Sequence, residues 1–185
     1  MTPIEGVATA LGLASVWLSA RQSLWCWPTG LGMVTLYLVI FWEAKLYADM
    51  ALQGVYIALQ VYGWAVWARG GDDGGRLPVR GARPAELWGG LALATAVSLA
   101  AGAALARLTD GSLPWLDATT ATFSLLAQAW MSRKIWQAWR VWILVDVLSV
   151  PMYAAKGLWL TCALYTVFLG LAWMGLRAWR KEVES

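Results

Sequence analysis

The sequence predicts an all-α membrane protein with seven transmembrane helices in a 3+1+3 parallel-repeat arrangement. Three observations predict it. Of 185 residues, 60% are hydrophobic and 14% charged, with a mean hydropathy of +0.57. A soluble domain carries roughly 45–50% apolar and about 25% charged residues, so this chain has too little polar surface for water and lipid is its main solvent. Seven apolar stretches approach the roughly 20 residues that cross a hydrocarbon core. Finally, residues recur at a spacing of 112.

The helices follow in order. The first spans residues 4–19; lacking a basic segment before it, it reads as a retained helix rather than a cleaved signal. The second spans 25–42 and opens on Trp27-Pro28-Thr29-Gly30, and the third spans 47–67. A polar linker rich in Gly, Arg and Pro fills 69–85. The fourth helix spans 87–105 and ends before the turn residues 109–112. The fifth spans 116–131, the sixth 139–153 and the seventh 158–179.

The repeat pairs Arg21 with Arg133, Trp27 with Trp139, Leu46 with Leu158, and Ala51 with Ala163. It continues through Leu52 and Leu164, Val55 and Val167, Gly63 and Gly175, and Trp67 and Trp179. Matched Trp, Gly and Arg are harder to obtain by chance than matched Leu. Three helices finish on the face opposite their start, so a parallel copy needs one extra crossing, which the fourth helix supplies. The expected organisation is a three-helix repeat over 4–68, a linker with the connecting helix over 69–113, and a second repeat over 114–180. Transporters are built on such parallel repeats, with the repeat axis along the membrane normal.

Loop charge predicts orientation. With seven crossings, one side holds Arg21, Arg69, Arg76, Arg80, Arg83, Arg133, Lys134, Arg140, Arg177, Arg180 and Lys181; the other holds Lys45, Arg107 and Lys156. Cytoplasmic loops are enriched in Lys and Arg. The expected placement is a bacterial cytoplasmic (inner) membrane, with the N-terminus outside and the C-terminus in the cytoplasm.

Composition narrows the chemistry. The net charge of +3 sits in loops, where it signals topology rather than nucleic-acid binding. There is no histidine, which removes Ser-His-Asp and Cys-His catalysis and the usual zinc ligands. Cys26 and Cys162 fall in apolar stretches and read as packing thiols. No cofactor and no metal are expected. A membrane enzyme using Asp49, Asp117 or Asp146 would need paired carboxylates on one helix turn or a glycine-rich phosphate loop, and neither is present.

Polar groups inside a bilayer are costly, about 2.5–3.5 kcal/mol for a charge at a helix centre, so they face one another or a cavity. The third helix places Gln53, Tyr56, Gln60, Trp64 and Trp67 on one face. The sixth does the same with Trp139, Trp142, Asp146, Ser149 and Tyr153. Two such stripes suit a flat aromatic ligand with a hydroxylated tail: the ring stacks on Trp or Tyr, and amides and a carboxylate take the hydroxyls. The fifth helix adds Thr120, Ser124 and Gln128 at steps of four. Its hydroxyls read as packing groups bonded to their own helix, and Gln128 as a site residue. Asp117 reads as a helix N-terminal carboxylate. Trp67 and Trp139, near helix ends, read as interfacial anchors. Asp146, the most expensive buried group, is either protonated in the membrane or paired with Arg140 or Lys156 at the helix ends. The candidate binding set is Gln53, Tyr56, Gln60, Trp64, Gln128, Trp142, Asp146, Ser149 and Tyr153.

Several segments together resemble the PnuC-type vitamin transporters. They are Leu46-Tyr47-Ala48, Leu52-Gln53, Tyr62-Gly63-Trp64-Ala65-Val66-Trp67, Met131-Ser132-Arg133-Lys134, Trp139-Arg140-Val141-Trp142, Val145-Asp146-Val147-Leu148-Ser149, Lys156-Gly157-Leu158 and Gly175-Leu176-Arg177-Ala178-Trp179. The resemblance implies facilitated diffusion of an unphosphorylated vitamin, most often nicotinamide riboside, which a cytoplasmic kinase then traps by phosphorylation. It implies a substrate site between the two three-helix halves. Thiamine and riboflavin carriers are similar. Some nicotinamide riboside carriers have Asn at the place of Asp146 and Glu-Asn-Trp at Gln137-Ala138-Trp139. A carboxylate suits a cationic ring, as in nicotinamide riboside and thiamine, and speaks against neutral riboflavin. The expected partners are the small-molecule vitamin and the lipid bilayer; a homo-oligomer stays open. The rival reading is a binding subunit of an ATP-driven importer, which two halves rocking about a central site do not need.

Overall fold

A computed structural model describes residues 3–43, 45, 47–71, 74–109 and 113–184. Leu46 and the turn residues 110–112 lie outside them. The described residues form seven helices: α1 Pro3–Ala20, α2 Cys26–Glu43, α3 Tyr47–Arg69, α4 Pro84–Leu108, α5 Pro114–Ser132, α6 Ala138–Ala155 and α7 Trp159–Glu184. These are the seven expected; α2 is shifted by one residue, α7 starts one residue later and ends five later, and the other five extend by one to three residues at one or both ends. Helix α4 starts earlier because Pro84 begins it, where a missing N–H costs nothing, and the Arg83 N–H donates to Glu86 Oε2 at 3.0 Å. Helix α7 runs past its apolar part on an Arg180–Glu184 pair at 2.6 Å.

By length and composition, α1, α4, α6 and α7 are each apolar enough to cross a membrane among the described residues. Helices α2, α3 and α5 have 18, 23 and 19 residues. Polar side chains such as Gln53, Gln60, Asp117 and Gln128 lower the hydropathy of α3 and α5. Polar groups of this kind within a membrane protein are costly when they face lipid.

By packing, the chain divides into two compact units: residues 1–79 with 132–134, and residues 80–131 with 135–185. In the first, α1 packs on α2 and α2 on α3. In the second, α6 packs on α7. Helix α4 meets α5 there through small residues: Gly102 lies under the Trp115 ring, and the Ser98 and Thr119 hydroxyls share a 2.8 Å hydrogen bond. Cys26 and Cys162 are free thiols.

The helix ends repeat as the sequence does. After α1, Gln22 is left-handed at φ 55°, with Gln22 N bonding Ser19 O and Ser23 N bonding Leu18 O. Lys134, after α5, has φ 51°, and Ile135 N bonds Trp130 O. Lys45 after α2 has φ 57° and Gly157 after α6 has φ 71°. All four are helix C-caps of the left-handed type. Both pairs, 22 with 134 and 45 with 157, are 112 residues apart.

Candidate functional site

The first unit supplies the α3 residues. Gln60 is buried, while Gln53 and Tyr56 are half-buried. Gln60 lies inside because α2 offers no side chain at Gly30: a Cβ there would stand 2.5 Å from Gln60 Nε2 and 2.9 Å from Oε1. Trp64 is 38% exposed and borders a small cleft with Leu24, Trp25 and Pro28. The α3 stripe is therefore graded along its length. Its amide at Gln60 is enclosed, and its indole at Trp64 is open.

The second unit supplies the rest. Asp146 and Ser149 are 3% and 1% exposed, and Gln128 is buried. Trp142 and Tyr153 are half-buried. Tyr153 packs on Tyr165 of α7 with ring centres 5.0 Å apart. Thr120 Oγ1 donates to Leu116 O at 2.9 Å and Ser124 Oγ to Thr120 O at 2.7 Å, so these hydroxyls bond their own helix as expected.

Neither suggested partner reaches Asp146. Lys156 pairs with Asp117 at 2.7 Å, which gives the α5 N-terminal carboxylate a second role fastening the α6–α7 turn. Arg140 lies over the Trp136 ring at 4.6 Å. Asp146 makes no hydrogen bond or ion pair among the described residues. An ionised carboxylate in that state costs several kcal/mol unless a counter-group arrives.

Two expectations fail. Trp67 and Trp139 are 6% and 1% exposed, packed within protein rather than exposed as interfacial anchors would be. Trp27 meets Trp67 edge to face at 5.2 Å and 85°, and Trp139 meets Trp179 at 5.5 Å and 88°. Each inner indole fills the space left by a glycine, Gly63 for Trp27 and Gly175 for Trp139. Both inner Nε1 atoms are buried without a hydrogen-bond partner. The edge-to-face contact contributes about 0.5–1.5 kcal/mol beyond burial, which offsets part of the roughly 1–3 kcal/mol cost of an unmade bond. The matched Gly63 and Gly175 were the available signal for these paired cores.

In the first unit, Lys134 is 2% exposed, donates to Gln22 Oε1 at 2.8 Å and lies 4.6 Å from the Trp67 ring centre. Arg80 holds Glu86 through two bonds at 2.7 and 2.8 Å. This bond keeps the Arg80 guanidinium protonated, above its already high range. No cluster of three His, Cys, Asp or Glu side chains able to hold a metal occurs among the described residues.

Known proteins are similar to this chain over most of its length. The sequence profile described as nicotinamide mononucleotide transporter matches residues 2–181. The chain is 32% identical to the riboflavin/roseoflavin transporter RibM of Streptomyces davaonensis, covering 94% of this chain and 82% of that one. It is 26% identical to the nicotinamide riboside transporter PnuC of Escherichia coli, covering 95% and 84%. Its fold matches the crystal structure of the vitamin B3 transporter PnuC with a TM-score of 0.76 at 24% identity, over 98% of this chain and 82% of that one. The seven helices and the profile spanning nearly all of them lead to one conclusion: this chain belongs to the nicotinamide mononucleotide transporter (PnuC) family.

Proposed function

We propose that this chain takes up nicotinamide riboside by facilitated diffusion, with phosphorylation in the cytoplasm trapping the vitamin. The family makes the chain a membrane transporter of a vitamin and not an enzyme; the substrate is the finer step. Asp146 carries it. A buried carboxyl with no partner favours a ligand that brings a positive charge, and the pyridinium of nicotinamide riboside does so. Gln53, Tyr56, Gln60 and Trp64 of α3, Gln128 of α5, and Trp142, Ser149 and Tyr153 of α6 are the other proposed binding groups. Amides and hydroxyls would take the ribose, and the indoles and phenols the ring. The proposed orientation puts the N-terminus outside and the basic loops in the cytoplasm of a bacterial inner membrane.

A second reading is favoured by the 32% identity to a riboflavin/roseoflavin transporter. Riboflavin has the flat ring and the hydroxylated tail but no positive charge. Thiamine has the charge. Calorimetric titration of the purified chain with all three vitamins tests the assignment. Tightest binding of nicotinamide riboside supports it; tightest binding of riboflavin replaces it with the second reading.

A further inference from the structure

The first unit holds a cavity of about 610 Å³ at the end of α3, outside the residues proposed for the vitamin. Its lining joins three loops of the basic face: Gln22 after α1, Arg69, Gly70, Gly74 and Arg76 around the start of the linker, and Lys134 after α5. Three cations thus border one space. Arg69 and Arg76 form no ion pair among the described residues. Arg76 donates to the Gln22 carbonyl at 2.7 Å, which anchors one arm of its guanidinium and leaves its remaining donors for a ligand. Lys134 is fixed by Gln22 and by the Trp67 ring. No carboxylate lines the cavity among the described residues; Asp72 and Asp73 lie outside them.

The backbone fits the same chemistry. Gly70 is left-handed at φ 74° and Gly74 at φ 71°, and Gly71 N donates to Gly75 O at 3.0 Å. A Cβ at Gly74 would meet nothing within 4 Å, so this wall is bare and open. Two guanidiniums with donors in a fixed fork, an ammonium and a bare glycine wall match a tetrahedral oxyanion. The volume is that of a small-molecule site rather than a single ion.

We propose that this cavity binds a phosphate group. It is a second site, separate from vitamin recognition. The phosphate can belong to an anionic lipid headgroup at the membrane surface or to a soluble phosphate compound, and the two share the recognition chemistry.

The test uses the full chain in nanodiscs of phosphatidylcholine alone, titrated with pyrophosphate by calorimetry. A parallel set contains 30 mol% (about one lipid in three) phosphatidylglycerol, chosen to put many anionic headgroups within a Debye length of the site. Pyrophosphate binding that phosphatidylglycerol leaves unchanged assigns the site to soluble phosphates. Thermal stabilisation by phosphatidylglycerol, with pyrophosphate weak or displaced, assigns it to headgroups. In either case Arg69→Gln with Arg76→Gln reduces the effect about tenfold or more, the loss expected for two charge-assisted contacts. Arg69→Lys with Arg76→Lys retains part of it, and vitamin affinity stays within about twofold in both variants. Neither ligand acting on the parent chain, or an effect unchanged in the Gln variant, overturns the proposal. Because vitamin binding is read separately, that failure leaves the transport assignment untouched.

Discussion

Lys134 Nζ donates to Gln22 Oε1 at 2.8 Å, and the two residues are 112 positions apart. Each is the left-handed cap of its helix, α1 for Gln22 and α5 for Lys134. Equivalent positions of the repeat have thus become bonding partners, one keeping an amide and the other an ammonium. A left-handed non-glycine residue costs roughly 1–2 kcal/mol, and the hydrogen bond and the Trp67 contact offset it here.

Lys134→Ala removes both compensations and leaves the strained cap. The unfolding free energy should fall by about 1–3 kcal/mol. Thermal unfolding in detergent reads this as a lower midpoint. Lys134→Gly should lose less, since glycine takes the left-handed conformation without strain.

The Trp–Gly cores are the next test. Gly175→Ala places a methyl group 2.5 Å from the Trp139 ring, and Gly63→Ala crowds Trp27 in the same way. Overpacking of this kind costs typically about 1–3 kcal/mol. Gly54, where an added Cβ meets nothing within 4 Å, is the control. A lower unfolding midpoint for the first two, with the Gly54→Ala midpoint close to that of the parent chain, is the expected pattern.

Much of this was legible in sequence. Apolar length gives all seven helices, because lipid leaves backbone groups no partner outside a helix. The ends were less legible. The charged end of α7 reads as a loop by hydropathy, yet the Arg180–Glu184 pair continues the helix through it. The pairs at spacing 112 gave matched Trp and Gly but not their relation. A Trp near a helix end looks the same in sequence whether it faces headgroups or a neighbouring glycine. Asp117 and Lys156 are 39 residues apart, and only the fold brings them to 2.7 Å. Of the candidate binding residues, α6 and α3 periodicity located Asp146, Ser149 and Gln60 inside. The openness of Trp64 depends on how α2 and α3 meet, which periodicity does not encode.

Gln60 can be tested through its neighbour. Gly30→Ala displaces the Gln60 amide without touching its chemistry. If Gln60 binds the vitamin, affinity should fall about tenfold, the cost of one misplaced hydrogen bond. The unfolding midpoint should move little, because the displaced atoms end a flexible side chain. Calorimetry and thermal unfolding on the same sample separate the two.

Asp146→Asn keeps the shape and removes the charge. Affinity for nicotinamide riboside and thiamine should drop about tenfold or more, the loss of a charge-assisted contact out of water. Riboflavin affinity should not drop. A parallel loss for all three vitamins would give Asp146 a structural role instead.

Uptake of labelled nicotinamide riboside into liposomes holding only the purified chain tests the central claim most directly. The account predicts saturable influx down the substrate gradient, without ATP and without an ion gradient, that stops when inside and outside concentrations equalise. Influx no faster than in protein-free vesicles would contradict it.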